Sequence, residues 1–190
     1  MGYAIAGAAL AAGHDVTLIS GPVNLDPPPS AQFVSILTSD EMYSAVHRHA
    51  RECDVLVMCA AVADYKPREV SATKIKKHNQ HFALDLTPTR DILASLPDKN
   101  RQFLLVGFAA ETNDIEENAK QKLRAKNCDI IVANDVSDAD SGMESDANEV
   151  TIFFRNGEKE KISRASKNII ARELVKILIN SREKRLTKKM

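Results

Sequence analysis

A chain of 190 residues, 44% of them hydrophobic and 27% charged, has the size and balance of one globular domain that buries roughly 70% of its unfolded surface without a disulfide or metal staple. Composition argues against disorder, a collagen repeat and a disulfide scaffold. Lys plus Arg number 26 and Asp plus Glu 26, so the net charge is zero and the global basic field of a nucleic-acid binder is missing.

The opening residues, 1–13, are small and apolar with Gly13 at the C-cap position of a helix, and Val16 to Ser20 read as a buried strand stopped by Gly21-Pro22. A short strand at Phe33 to Leu37 leads to Thr38, whose spacing to Glu41 makes a capping box for a helix through Arg51. Met42, Ala45, Val46 and His49 give that helix an apolar face. Asp54 to Ala60 is apolar throughout, the pattern of a strand covered on both faces. Phe103 to Phe108 and Asp129 to Ala133 repeat it, with a helix from Asn113-x-x-Glu116 to about Asn127 between them, which predicts a crossover unit.

From Glu149 the pattern alternates: Val150 to Phe154, Asn156-Gly157, then Lys159 to Ser163, a hairpin with a type I′ turn signal that predicts an antiparallel edge. A last amphipathic helix, about Lys167 to Asn180, precedes a basic, frayed tail over 182–190. The reading is one domain over 1–181, α/β, with a Rossmann-like, mostly parallel sheet, helices on both faces and an antiparallel C-terminal hairpin. Cys53, Cys59 and Cys128 form no Cys-x-x-Cys pair, so neither a zinc ribbon nor a redox motif is drawn and a reducing compartment fits. No apolar run reaches the roughly 18 residues of a membrane span and no basic signal-peptide start is present, so a cytoplasmic chain is expected.

Open parallel sheets bind ligands beyond the C-terminal ends of their strands, and three clusters stand there. Ala60 to Tyr65 offers small residues that let backbone amides approach a ligand, then the Asp64 carboxylate; a tight turn explains it equally. Gly107 to Thr112 carries Phe108, which reads as a stacking aromatic or as core. Ala133-Asn134-Asp135 reads as polar ligands or as a turn. Lys74 to Lys77 lie in an aperiodic polar stretch, 66–81, that reads as a loop covering an anionic substrate or as a solvated face. Lys122 and Lys126, four apart, share a helix face and hold phosphates or pair with glutamates. Together these describe a nucleoside-triphosphate site. Neither Gly-x-Gly-x-x-Gly nor a Walker A pattern occurs, and His14, His47, His49, His78 and His81 have no partner fixed by spacing, so surface placement is expected for them.

At these same positions the chain resembles the bacterial phosphopantothenoylcysteine synthetase family, in the family's own order: Met1 to Ala6, Ser20-Gly21-Pro22, Ala60 to Tyr65, Lys74 to Lys77, Asp91-Ile92-Leu93, Val106 to Thr112 and Ala133 to Val136. The resemblance implies a ligase of coenzyme A biosynthesis that uses CTP, with Mg2+, to activate 4′-phosphopantothenate as an acyl-cytidylate before cysteine displaces CMP. Carried over by position, Met58, Cys59 and Ala60 would line the nucleotide through the backbone, and Asp64 would bind it. Lys74 would be the flap lysine that meets the charged intermediate. Arg90, Asp91, Ile92 and Leu93 would touch the cytidine, Phe108 would pack on it, and Lys122 and Lys126 would hold phosphates. No metal ligand is implied. Where the family reads Asn-Pro-Asp-Ile this chain has Thr89-Arg90-Asp91-Ile92.

The resemblance also implies a homodimer, a first strand and an Asn-x-Ser-Ser-Gly loop before the position of Met1, and a flavin-dependent decarboxylase domain upstream. Relative to the family the chain is therefore read as N-terminally truncated. A nucleotide-binding module without catalysis and an NAD(P)-type oxidoreductase are the rivals. The oxidoreductase would need a glycine fingerprint after its first strand, where this chain has Ser20-Gly21-Pro22 after the strand it does contain.

Overall fold

The computed structural model describes residues 1–76, 81–97, 101–111, 114–135 and 147–187. Small residues build α1 (Gly2–Ala11), which buries Ile5 and Ala6, and the chain leaves it through Gly13 at φ 86°. Next come β1 (Thr17–Ser20) and β2 (Gln32–Ser35), a parallel pair of their own with Leu18 opposite Phe33. Thr38 then caps α2 (Ser39–His49). Its hydroxyl accepts the Glu41 N–H at 3.2 Å while the Glu41 carboxylate accepts the Thr38 N–H at 3.0 Å, the expected reciprocal box. Met42, Ala45 and Val46 are buried along α2 and His49 is half-buried at the rim.

The rest of the chain supplies β3 (Val55–Met58), β4 (Tyr65–Pro67), β5 (Leu86–Pro88), the one-turn α3 (Ile92–Ser95), β6 (Leu104–Glu111), α4 (Ile115–Ala125), β7 (Ile130–Asp135), β8 (Ala147–Phe154), β9 (Lys159–Ser166) and α5 (Lys167–Thr187). Five of these strands form one sheet in the order β3-β6-β7-β8-β9. The first three are parallel, with α4 between β6 and β7, and β8 and β9 are antiparallel, so the hairpin makes one edge. Alternation along the strands sorts the core onto two faces. Met58, Leu105, Ile131 and Phe153 pack with α2 and α4 through Met42, Val46, Ala119 and Leu123. Val106, Ile130, Val132 and Ile152 pack with α1 and α5 through Ile5, Ile170, Leu174 and Leu178.

Four local expectations are corrected. Val55, Leu56 and Val57 of β3 are only half-buried, because β3 has a single sheet neighbour among the described residues. Asn113 lies outside those residues, and the N-cap of α4 is Asp114 at φ 47° with no side-chain cap bond. Glu116, its expected partner, instead accepts from Lys120 and Lys159, each at 2.7 Å, because two ammonium groups hold a carboxylate better than one backbone N–H does.

The hairpin turn is not type I′, which needs positive φ at two successive residues. Gly157 has φ 93°, but Asn156 does not share that conformation. The Phe154 carbonyl accepts the Gly157 N–H and the Phe154 N–H reaches the Glu158 carbonyl, each at 3.0 Å, a three-residue loop closed by a glycine bulge.

Finally, α5 runs to Thr187 rather than fraying after Asn180. Its extra turns carry Arg182 and Arg185. Arg182 bonds Asp54 at 2.8 Å, and Arg185 bonds Asp129 Oδ2 at 2.5 Å. The same oxygen accepts from the buried Arg101 at 2.6 Å and from the Leu105 N–H at 2.8 Å. Fixed carboxylates on the sheet convert a basic segment that would otherwise fray into a helix end.

Candidate functional site

Strand β3 stops at Met58, in register with Gly107 and Ile131, while β6 and β7 run on side by side to Glu111 and Asp135, and the sequence places small or polar residues at both levels. After β3, Ala60, Ala61, Ala63 and Asp64 are exposed. Among the described residues the Asp64 carboxylate has no hydrogen-bond partner, while its carbonyl accepts the Thr89 N–H at 2.8 Å. Thr89 Oγ1 donates to the Ala63 carbonyl at 2.6 Å, so the loop after β3 is tied to the stretch that leads into α3. At the end of β7, Asn134 accepts from Asn148 Nδ2 of β8 at 3.1 Å; it belongs to the strand rather than to a turn. Thr112 and Val136 lie outside the described residues.

Gly107 sits in one cross-sheet row between Met58 and Ile131. A Cβ there would stand 2.8 Å from Ile131 Cδ1 and 3.4 Å from Leu93 Cδ1, so the missing side chain lets the segment around α3 close onto β6. Ile92 is buried and Leu93 packs beside it in the same core. Asp91 caps α3 by accepting the Ala94 N–H at 3.0 Å and pairs with Lys126 at the C-cap of α4. Burial raises the Asp91 carboxyl pKa, but the Ala94 N–H and Lys126 together leave it below its ordinary value. The partner of Lys126 is thus an aspartate from the expected nucleotide stretch rather than a glutamate. Lys122, one turn earlier, is half-buried on the same helix.

The expected residues divide between the two faces of the sheet. Met58, Ile92, Leu93 and Lys126 gather on the α2 and α4 side, whereas Cys59 and the half-buried Phe108 pack toward α1 and α5. They meet only around the strand ends. Lys74 is brought to none of them: it is exposed, with no hydrogen bond or ion pair among the described residues. The loop expected over 66–81 begins as structure, because Lys66 and Pro67 belong to β4, which pairs antiparallel with β5, Lys66 opposite Thr87, as the base of an arm. Arg68 and Asp85 add a 2.9 Å ion pair next to it. Lys77 and His78 lie outside the described residues.

Sequence reasoning missed a polar cluster on α2. Asp40 pairs with Lys66 of β4 and lies 3.7 Å from Arg90. The Arg90 guanidinium sits 4.4 Å from the centre of the Tyr43 ring, and Tyr43 packs on His47 at 4.3 Å. His47 Nε2 is 2.8 Å from Ser95 Oγ, so this histidine is engaged rather than merely solvated. The signal was available: residues 40, 43 and 47 share a helix face by spacing, opposite the apolar one.

The three thiols are free and protonated at neutral pH, since burial pushes Cys53 and Cys128 up to about 11 and Cys59 up to about 12. Among the described residues no three His, Cys, Asp or Glu side chains cluster as metal ligands, and no helix is long and apolar enough to cross a membrane. Shallow concavities of about 450 and 360 Å³ lie along α4 and the hairpin, the larger reaching Ala133 near the end of β7 and Ile115 at the start of α4. In the larger, Glu116 and Glu149 are already neutralised by lysines. Chemistry therefore points to the end of β3 and the α3 segment beside it, a strand-end position usual for ligands of this sheet type and lined by neither concavity.

The sequence profile of the DNA/pantothenate metabolism flavoprotein C-terminal domain matches residues 1–181. The chain belongs to this family. It is 45% identical over 176 residues to the coenzyme A biosynthesis bifunctional protein CoaBC of Bacillus subtilis (strain 168), covering 92% of this chain and 43% of that protein. The chain thus spans less than half of that relative. The crystal structure of a CoaBC C-terminal domain superposes with a TM-score of 0.80 at 37% identity, covering 96% of this chain and 82% of that one. A mutant of Cab2 in complex with phosphopantothenate-cysteine shares the fold at a TM-score of 0.63 and 15% identity, covering 84% of this chain and 55% of that one. In this flavoprotein C-terminal domain the end of β3 lies beside Gly107 of β6, Leu93 rests over that glycine, and Asp91 joins the α3 segment to Lys126 at the C-cap of α4.

Proposed function

We propose that this domain is a phosphopantothenate–cysteine ligase of coenzyme A biosynthesis that uses CTP. The observation that carries the reading is the family match across residues 1–181, supported by the loop after β3, where Thr89 ties Ala63 and Asp64 to the stretch whose Asp91 pairs with Lys126 of α4. A carboxylate oxygen of 4′-phosphopantothenate attacks the α-phosphorus of CTP and pyrophosphate leaves. The cysteine amine then attacks the acyl carbon of the cytidylate, CMP leaves and the amine sheds a proton. Negative charge grows on phosphate oxygens in the first step, so the residues act by positioning and cationic stabilisation.

In this reading the backbone of Met58, Cys59 and Ala60 lines the nucleotide, with Asp64 on its base or sugar. Arg90 to Leu93 border the cytidine, and Phe108 packs against it from the α1 side. Lys122 and Lys126 hold phosphates, the latter exchanging Asp91 for a stronger anion. Lys74 swings in with the arm as the catalytic cation. Mg2+ shields the triphosphate when bound. The donor set fits a cation carried by the nucleotide's own phosphates, because such ions keep several waters and take few protein ligands.

Cytoplasmic location and a homodimer complete the proposal. The arm supplies the self-association surface: Tyr65, Val70, Phe82, Leu84 and Leu86 are large, apolar and at least half exposed, with Val70 at 86%. An oxidoreductase would need the glycine fingerprint that the chain lacks.

The test is the reaction itself. The full-length gene product with 4′-phosphopantothenate, cysteine, CTP and Mg2+ should release CMP and pyrophosphate and form the amide, with ATP a poorer substitute. Amide formation without CMP, or none in any triphosphate, overturns the reading. Sedimentation should give a dimer that Phe82→Asp dissociates.

A further inference from the structure

The residues 90–95 lie between two helices. On one side Asp91 is held by Lys126 of α4 and Leu93 rests over Gly107 of β6. On the other side the same six residues are fixed to α2 at both ends. At the first end, Arg90 stacks 4.4 Å from the Tyr43 ring centre and lies 3.7 Å from Asp40 Oδ1. At the last end, His47 bonds Ser95 Oγ at 2.8 Å, and the same hydroxyl bonds the Ile92 carbonyl at 2.7 Å. The 4.3 Å packing of Tyr43 on His47 joins the two attachments. Asp40 also pairs with Lys66 at the base of the arm and lies below its ordinary pKa, first because of Lys66.

We infer that Asp40, Tyr43 and His47 are positioning residues, a mount on α2 that sets residues 90–95 at the correct height over the nucleotide site. The inference rests on the ligase reading for what the segment touches. Each contact is half exposed and weak alone, so bulk stability does not explain the set. Its geometry does. Three residues of one helix face take both ends of a six-residue segment whose α3 is a single turn, too short to hold its own shape. The mount also leaves the Arg90 guanidinium occupied by α2, so Arg90 acts as an anchor and the Asp91 to Leu93 backbone meets the ligand.

The experiment uses the full-length gene product and compares Tyr43→Leu, which deletes the ring, with Tyr43→Phe, which keeps it, and with Asp40→Asn. Two readouts are taken: hydrogen exchange of the 91–96 amides without nucleotide, and steady-state kinetics with CTP, 4′-phosphopantothenate and cysteine. Tyr43→Leu should speed exchange in that segment selectively and raise KM for CTP about threefold to tenfold, with kcat and KM for cysteine within about twofold. Tyr43→Phe should restore both, and Asp40→Asn should fall between. Unchanged exchange at 91–96, failure of Tyr43→Phe to rescue, or a uniform loss in every kinetic constant together with a lowered Tm overturns the mount. If the wild-type protein ignores CTP, the ligase reading falls, and the exchange data alone then decide whether α2 holds the segment.

Discussion

Where β6 and β7 begin, Asp129 accepts from Arg101, Arg185 and the Leu105 N–H on one oxygen, and only 1% of the Arg101 side chain is exposed. Where β3 finishes, Ala60, Ala61, Ala63 and Asp64 stand exposed, and Asp64 has no side-chain partner among the described residues. One end thus fixes the strand positions, and the other leaves amides and a carboxylate free for a ligand. The difference teaches a division of labour: charges satisfied internally stabilise the fold, and charges left to solvent are those that binding uses.

The largest effect expected from this division is at the closed end. Asp129→Ala removes the carboxylate that Arg101 and Arg185 share, leaving them only carbonyl acceptors such as those of Asn127 and Arg101, and should cost about 3 kcal/mol, lowering Tm by roughly 6–12 °C while leaving KM for CTP unchanged. A shift in that KM would mean the two ends are coupled. At the open end Lys74→Ala should leave Tm alone and reduce turnover by about 100-fold, the scale of losing one preorganised charge donor; near-normal turnover would remove Lys74 from the chemistry.

Replacing Lys122 and Lys126 together by Ala should weaken CTP by about tenfold and cytidine hardly at all, because the lost contacts are to phosphate charge. Equal losses measured by calorimetry would make the pair an ordinary helix face. The smallest effect concerns the thiols. Burial holds all three above their ordinary 9.0, so folded thiols stay neutral while unfolded ones ionise. Stability should therefore fall gradually as pH rises beyond about 9, and iodoacetamide should label the native protein slowly at pH 8. Rapid labelling of Cys59 there would show that the strand end opens.

How much was legible follows the range of each interaction. Thr38 and Glu41 are three residues apart, so their capping box was readable, as was the strand period of Phe103 to Phe108. The small residues after β3 were readable for the same reason, whereas Gly107 to Glu111, read as following a strand, are part of β6. Asn156-Gly157 signalled a hairpin, but the choice between a type I′ turn and a glycine bulge depends on how β8 and β9 twist, which two residues do not encode. Arg182 and Arg185 looked like a solvated tail because their partners, Asp54 and Asp129, are 128 and 56 positions away. The Asp91–Lys126 pair and the Arg90 stack on Tyr43 were hidden for the same reason: a single chain pattern carries no distance between α2, α3 and α4.

The pairing of α1 with α5 also governs how the protein is made. Ile5 belongs to the core half completed by Ile170, Leu174 and Leu178, whereas the half built on Met42, Val46, Leu105 and Leu123 uses residues synthesised before residue 154. During translation, which delivers an N-terminal segment first, one face of the sheet closes while the helix that opens the chain waits for its partner. Nascent chains stalled before residue 170 should therefore expose one apolar sheet face and depend on holding chaperones, and a force-sensing arrest assay should register the completing folding event only once α5 has left the ribosome.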